Sequence, residues 1–316
     1  MRALNLAAPP RGSAAQRAPL ESASAHSEPP LQWESVPELP EVEITARLLD
    51  HALRGALIES ALAPGINALK TIDPALSELQ GRRIEAVRRR GKHLIVEVSG
   101  GLALLVHLMN AGRLQLYDRR AGPRDRASRL LVRIADGREL RLREFGSKQA
   151  AWVKLLRAGA LEEDPALAKL GPEAWPDAPP LEHVLDAPRP LHALLRDQRA
   201  IAGIGRSWAD EILWSAQLSP FKRGEDLDEE ERERLAEAIE STLATALAHY
   251  EEVVRLPIPD KLPMPLRVHR HEGEPCPRCA ETLRSVHFED YVIAYCPACQ
   301  TEGRVLKDRR LSRLLR

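Results

Sequence analysis

The sequence predicts a multidomain α+β protein, with a run of short strands first, a helical segment second and a small cysteine-held element last. Three observations carry this expectation. Seven short apolar runs between residues 83 and 156 are spaced like the strands of a β-sandwich or barrel. Residues 191–250 follow a helical pattern, and all four cysteines fall into two Cys-x-x-Cys pairs late in the chain. With 316 residues, 44% hydrophobic and 29% charged, the chain can pack two or three domains and is too apolar for wholesale disorder.

Each part follows in order. Residues 1–36 carry three Arg and three Glu among Ala, Pro and Ser without an apolar period, which predicts a disordered extension. Residues 41–57 read as a helix entered through Pro37 and Pro40, with Val42, Leu48, Leu49, Ala52, Leu53 and Ala56 on one stripe. Strands are expected at 83–87, 93–98, 102–108, 114–117, 130–134, 139–142 and 151–156. Pro172, Pro176, Pro179, Pro180, Pro188 and Pro190 then crowd a stretch that no packed element should tolerate, which sets a domain boundary. The helical segment closes with Leu235, Ile239, Leu243 and Leu247, and Pro257, Pro259, Pro263 and Pro265 mark a second linker. The expected units are a sandwich domain over 37–165, a linker over 166–190, a helical domain over 191–265 and a cysteine element with a basic tail over 266–316.

No apolar run reaches the roughly 18 to 20 residues of a membrane helix. The richest stretch, 101–109, is broken by His107, and the first 35 residues lack the apolar core of a secretory signal. A cytoplasmic, nucleoid-associated protein without a membrane partner is expected. Lys+Arg and Asp+Glu balance at 46 each, but the charge is polarised along the chain. Arg82, Arg83, Arg88, Arg89, Arg90 and Lys92 face one acid, Glu85, and residues 301–316 hold six basic residues against two acidic; both runs are candidate phosphate contacts. Between residues 224 and 240, nine acids oppose only Arg232 and Arg234, so this face should turn away from any polyanion. Taken singly, such runs are ordinarily solvated faces, and motifs must decide.

Cys276-Pro-Arg-Cys279 and Cys296-Pro-Ala-Cys299, sixteen residues apart, have the spacing of two thiolate knuckles closing on one tetrahedral zinc. Disulfides are disfavoured in a cytosolic setting, and clustering within 24 residues disfavours chance burial. Four thiolates leave no open position for a catalytic water. The metal then supplies binding energy of order 10 kcal/mol to a small fold, and any chemistry lies elsewhere.

Residues 198–211 place Gly203-Ile204-Gly205 directly ahead of a helical run, a turn that lets backbone N–H groups approach a phosphate. Together with Pro37-Glu38-Leu39-Pro40-Glu41-Val42-Glu43, Arg89-Arg90-Gly91-Lys92-His93-Leu94, Phe145-Gly146, Leu170-Gly171-Pro172-Glu173 and the cysteine pairs ending in Gln300, it resembles one family. That family is the formamidopyrimidine-DNA glycosylase and endonuclease VIII family, and the resemblance runs from Pro37 over about 280 residues. It implies a bilobal enzyme of base excision repair. Its β-sandwich with a flanking helix would be followed by a helix-two-turns-helix domain and a zinc-finger β-hairpin, with damaged duplex DNA in the cleft. One cleft per chain requires no second subunit, so a monomer is expected.

The resemblance makes the amine of Pro37 the nucleophile. A free α-amino group titrates near pH 8, and a secondary amine attacking the sugar C1′ gives an iminium directly. Glu38 matches the acid that protonates the sugar ring oxygen, and Lys92 the lysine that contacts phosphate and assists β-elimination. As written, however, Pro37 is internal and its nitrogen is an amide. Initiation at Val36, or proteolysis of the extension, is expected to expose it.

Several positions depart from the family pattern. Arg143 and Phe145 match two members of the Met, Arg, Phe wedge that fills the gap left by a flipped base. His107-Leu108-Met109-Asn110-Ala111-Gly112 replaces His-Leu-Gly-Met-Ser-Gly, which puts Asn110 at the Met position with Met109 one residue early; His107 and Asn110 join the expected DNA contacts. Gly205 is followed by Arg206 where the family has Asn, which keeps phosphate affinity with another geometry. Asp290-Tyr291-Val292-Ile293 replaces the finger run that supplies an arginine, so β-lyase activity with weakened δ-elimination is expected. A non-catalytic protein binding abasic or damaged DNA is the alternative.

Overall fold

The computed structural model describes residues 36–65, 67–122, 125–145, 149–185, 187–288 and 291–306. The predicted disordered extension lies outside the described residues except for Val36, as do Gly146, Asp290 and the basic tail from residue 307.

Helix α1 (Leu39–Leu53) starts and ends earlier than its apolar stripe predicts. Pro40 sits in its first turn, where a missing N–H is harmless, and the Glu41 carboxylate accepts the Glu38 N–H at 2.9 Å. Leu39, Val42, Leu49 and Leu53 are buried, whereas Leu48 is only half-buried and residues 54–57 leave the helix.

Eight antiparallel strands follow: β1 (Ile58–Leu62), β2 (Ile84–Arg90), β3 (His93–Val98), β4 (Leu102–His107), β5 (Gly112–Tyr117), β6 (Ser128–Ile134), β7 (Glu139–Glu144) and β8 (Trp152–Arg157). They form two four-stranded sheets, ordered β2-β3-β4-β8 and β1-β6-β7-β5. Alternate residues make the inner faces of the sandwich, Leu94, Val96, Leu104 and Val106 from the first sheet and Leu114, Leu116, Val132, Leu140 and Leu142 from the second. The sequence pattern missed β1, in which only Ile58 is fully buried.

The proline-rich stretch is packed, contrary to expectation. It contains helix α2 (Glu182–Leu185), and Ala174, Leu181, Val184 and Leu185 join the main core. Proline forbids long regular elements there but not burial of the apolar residues between. The helical segment resolves into α3 (Leu191–Leu195), α4 (Arg206–Ser215) and α5 (Glu229–Val253). One continuous core joins sandwich and helices through α1, with Ile204, Trp208 and Ile212 beside Leu39 and Val42, and Leu235, Ile239, Leu243 and Leu247 on α5.

Hairpin β9 (Arg284–His287) and β10 (Val292–Tyr295) with helix α6 (Pro297–Gln300) complete the fold. Its own small core is Val268, Cys276, Leu283 and Cys296 around Trp214 of α4. Among the described residues no helix is long and apolar enough to cross a membrane.

Candidate active site

The start of α4 is occupied by a carboxylate from the other end of the fold. Glu38 is buried, and its Oε2 accepts N–H groups of Gly205 at 2.6 Å and Trp208 at 3.4 Å, while Oε1 accepts that of Ser207 at 3.0 Å. The unpaired amides of a first helical turn and the positive end of the dipole both favour an anion there. Leu39 N donates to Gly203 O at 3.0 Å, so chain start and turn are locked by backbone as well. Both glycines are required by this approach. A Cβ on Gly203, at φ +106°, would lie 2.5 Å from Leu39 Cδ1, and one on Gly205 would lie 2.2 Å from Glu38 Cδ. Pro37 is buried beside this junction, bordered by Leu108, Gln115 and Ile258.

Lys92 lies in the turn between β2 and β3. It keeps part of its surface open, but burial of its surroundings, with Arg196 and Arg206 acting in the same direction, holds its pKa below the ordinary lysine value despite opposition from Glu38 and Glu41. The neighbouring arginines do not serve as the run predicted. Arg89 is nearly inaccessible and pairs with Glu43 at 2.9 Å and with Glu173. Arg90 donates to Glu173 Oε1 at 2.6 Å and to Gly171 O at 2.7 Å, and Gly91 N reaches the same Oε1 at 2.7 Å. Arg88 pairs with Glu97 at 2.6 Å and Arg83 donates to Gly55 O at 2.8 Å. The charges of Arg88, Arg89 and Arg90 are met by carboxylates of this chain, whereas Arg82 and Arg83 stay exposed, and three of these bonds clamp the Lys92 turn to the Leu170–Glu173 segment.

Glu41, not singled out by the sequence, is buried one turn along α1 and accepts from Tyr250 OH at 2.6 Å and Trp208 Nε1 at 3.2 Å. Burial, then the Glu38 charge, lifts its pKa from 4.5 to about 7.

The expected wedge residues gather at the ends of β4, β5 and β7. Phe145 N donates to Ala111 O at 3.4 Å, which sets the exposed Phe145 ring beside the turn carrying Met109, at φ +50°, and the exposed Asn110. Arg143 donates to Tyr117 OH at 2.9 Å and lies 4.6 Å over the Phe145 ring. His107 accepts Met109 N on Nδ1 at 3.0 Å and stacks with Trp152, and burial brings its pKa down to about 3, so it is a neutral support of this turn.

Helix α4 also seats the hairpin, through two buried acids whose roles were not read from sequence. Glu211 accepts the N–H groups of Arg267, Val268 and His269 at 2.8–3.0 Å. Asp210 accepts Ala294 N at 3.0 Å and lies 2.7 Å from His269 Nδ1. In the hairpin the sulfurs of Cys276, Cys279, Cys296 and Cys299 all lie within 4.8 Å of one another, a donor set that could hold a metal ion. Trp214 Nε1 donates to Cys276 Sγ at 3.3 Å, and Gln300 accepts Cys296 N while donating to Leu218 O.

Two family models match the chain. The formamidopyrimidine-DNA glycosylase N-terminal domain matches residues 36–147 and the H2TH domain of the same enzymes matches residues 173–257. The formamidopyrimidine-DNA glycosylase of Thermus thermophilus is 36% identical over 282 residues, covering 85% of this chain and 100% of that protein. The chain belongs to the formamidopyrimidine-DNA glycosylase family. The enzyme of that name from Stenotrophomonas maltophilia is 32% identical over 84% of this chain and all of its own length. Among solved structures, Lactococcus lactis Fpg (MutM) bound to DNA containing N7-benzyl-Fapy-dG superposes with a TM-score of 0.75 at 27% identity, over 84% of this chain and 100% of that one. The Thermus thermophilus MutM (Fpg) protein gives 0.72 at 33% identity, over 85% and 100%. As a family member the chain is a DNA glycosylase, and its fold comprises a β-sandwich, the H2TH domain and a four-cysteine hairpin.

Proposed function

We propose that this glycosylase excises oxidised bases from duplex DNA and cleaves the resulting abasic site, with the amine of Pro37 as nucleophile. The observation that carries the reading is the seat of Glu38, adjacent to Pro37 in the chain and pinned by three amides of α4. In the reaction, the Pro37 nitrogen bonds to C1′ as the glycosidic bond breaks, the proton this nitrogen then sheds passes by way of the Glu38 carboxylate to the ring oxygen, and the C1′–O bond opens to leave an iminium. Loss of the C2′ proton then expels the 3′ phosphate. Lys92, with its depressed pKa, is the group for that proton and for the adjoining phosphate. The N–H of Gly205, expected to meet a phosphate, is taken by Glu38, so Arg206 alone of this pair receives the backbone, and Asn110 or Met109 with Arg143 and Phe145, beside the turn braced by His107, fills the space left by the extruded nucleotide. Lacking an arginine at the finger position, the enzyme gives mainly β-elimination.

The hairpin holds one structural zinc. Tetrahedral Zn–S bonds of about 2.3 Å place sulfurs about 3.8 Å apart, and Cys276–Cys299, Cys279–Cys296 and Cys279–Cys299 are separated by 3.9, 3.5 and 3.4 Å. The metal fixes the hairpin that α4 docks through Asp210 and Glu211.

Pro37 follows Val36, so its nitrogen is an amide that cannot form the iminium. The N-terminal family model starts at residue 36, which supports an active form beginning at Pro37. With the extension attached, the same fold offers lesion binding without chemistry. Borohydride trapping on an abasic duplex, with the chain as given and with one starting at Pro37, tests this: covalent capture is expected of the shorter chain, and capture by neither overturns the lyase reading.

A further inference from the structure

A single carboxylate closes the turn that carries Lys92. Glu173 Oε1 accepts the Gly91 N–H at 2.7 Å and an Arg90 N–H at 2.6 Å, and Oε2 accepts one from Arg89. The three residues ahead of Lys92 therefore all bond to Glu173. Arg90 also donates to Gly171 O at 2.7 Å and Arg89 to Trp175 O at 3.1 Å, so the turn is gripped on both sides of Glu173 in the chain. The Lys92 side chain donates no hydrogen bond among the described residues. Its four-carbon stem is flexible, so the backbone of the turn sets where the ammonium can reach.

The same segment is joined by its backbone to the turn that seats Glu38. Gly171 N donates to Gln198 O at 2.9 Å, Ala202 N to Pro172 O at 2.8 Å and Ala174 N to Ala202 O at 3.0 Å. A Cβ on Gly171 would lie 2.4 Å from Arg199 O, so the two stretches meet backbone to backbone. Gln198 continues the link, accepting the Gly203 N–H at 2.9 Å and donating to Ile204 O at 2.7 Å. Residues 171–174 thus tie the Lys92 turn of the sandwich to the Gly203–Gly205 turn. The charges of Glu38, Arg196, Glu41 and Arg206 all act on the Lys92 ammonium, which places it beside that junction. We infer that Glu173 is a positioning residue for strand cleavage, holding Lys92 in register with Glu38 through the Gly91 N–H and the guanidiniums of Arg89 and Arg90. A carboxylate suits this task because its bonds to guanidiniums are roughly twice as strong as neutral ones. The inference rests on the proposed function in giving Lys92 the C2′ proton.

The test uses the zinc-loaded protein starting at Pro37 and a duplex with a preformed abasic site. Two single-turnover rates are read, iminium formation by borohydride capture and strand cleavage on gels. A reacting group displaced by about 1 Å loses about 10²-fold in rate. With the Arg90 bond to Gly171 O still in place, Glu173→Gln is expected to lose about tenfold in strand cleavage and less than about twofold in iminium formation. Glu173→Asp, which keeps the charge at shorter reach, should recover part of the loss. Arg90→Gln, which leaves the Gly91 bond to Glu173, should show the same pattern, and it decides the matter if Glu173→Gln does not fold. A loosened turn admits water to Lys92, so the rise of cleavage rate with pH should move to higher pH in Glu173→Gln. In a Lys92→Ala background Glu173→Gln should cost nothing further. Unchanged cleavage, equal losses in both rates, an unmoved pH profile or full additivity with Lys92→Ala overturns the positioning role. Cleavage at the wild-type rate by Lys92→Ala alone overturns the reading of Lys92, and the inference with it.

Discussion

Replacing Gly205 with Ala should displace the Glu38 carboxylate, the proposed proton carrier, without touching it chemically. The added Cβ would sit 2.2 Å from Glu38 Cδ and 2.4 and 2.5 Å from its two oxygens. Carbon atoms pack at about 3.5–4.0 Å, so the carboxylate must retreat by more than about 1 Å. The obstacle is not a floppy side-chain end, because the oxygens are held by the amides of residues 205, 207 and 208. Hydrogen bonds to a charged group are worth about 1.5–3 kcal/mol each. Losing most of this set, with partial replacement by water, should cost about 3 kcal/mol of stability. An error of about 1 Å in a reacting group costs about 10²-fold in rate, so single-turnover base excision should fall by that factor or more. Urea unfolding and excision kinetics would be read for Gly205→Ala, Glu38→Ala and the double variant. Removing the Glu38 side chain removes the clash, so the double variant should be no less stable than Glu38→Ala. Additive destabilisation, or near-normal excision by Gly205→Ala, would refute the reasoning.

Further outcomes follow from the same geometry. Glu41 keeps its proton in the folded state between pH 4.5 and about 7 while the unfolded chain has released it. Its contribution is therefore full below 4.5 and falls by about 3 kcal/mol as pH rises through that window, at about 1.36 kcal/mol per pH unit. Glu41→Gln should flatten the decline of urea stability from pH 5 to pH 8, and an unaltered decline would reject the assignment. Lys92→Ala should slow strand cleavage about 10²-fold while base release is better preserved; equal losses in both would place Lys92 in binding alone. Stripping the metal with a chelator, or Cys296→Ser, should abolish duplex binding while far-ultraviolet circular dichroism retains the sandwich signal, and retained binding would deny the hairpin its role.

Local pattern carried the sandwich, because alternation along strands such as 93–98 and 102–107 encodes which face is buried. It also carried the cysteine site, because four ligands in two knuckles need only spacing. Strand β1 escaped because a single fully buried residue leaves no alternation to read. The arginine run misled for a physical reason: whether a guanidinium meets phosphate or carboxylate depends on partners far along the chain. Glu173, more than 80 residues away, takes up Arg89 and Arg90. Glu41 was quoted within a motif, yet the burial that raises its pKa is created by distant chain, including Tyr250 of α5, 209 residues away. Arg196 and Tyr291 likewise become neighbours only when α3 meets the hairpin.

The most direct test is to map the borohydride-reduced adduct formed by the chain starting at Pro37 with an abasic duplex, using mass spectrometry of its peptides. The sugar remnant is expected on the Pro37 nitrogen, with yield falling sharply in Glu38→Gln. A remnant on Lys92 or any other amine, or an undiminished yield without the Glu38 carboxylate, would contradict the proposed chemistry.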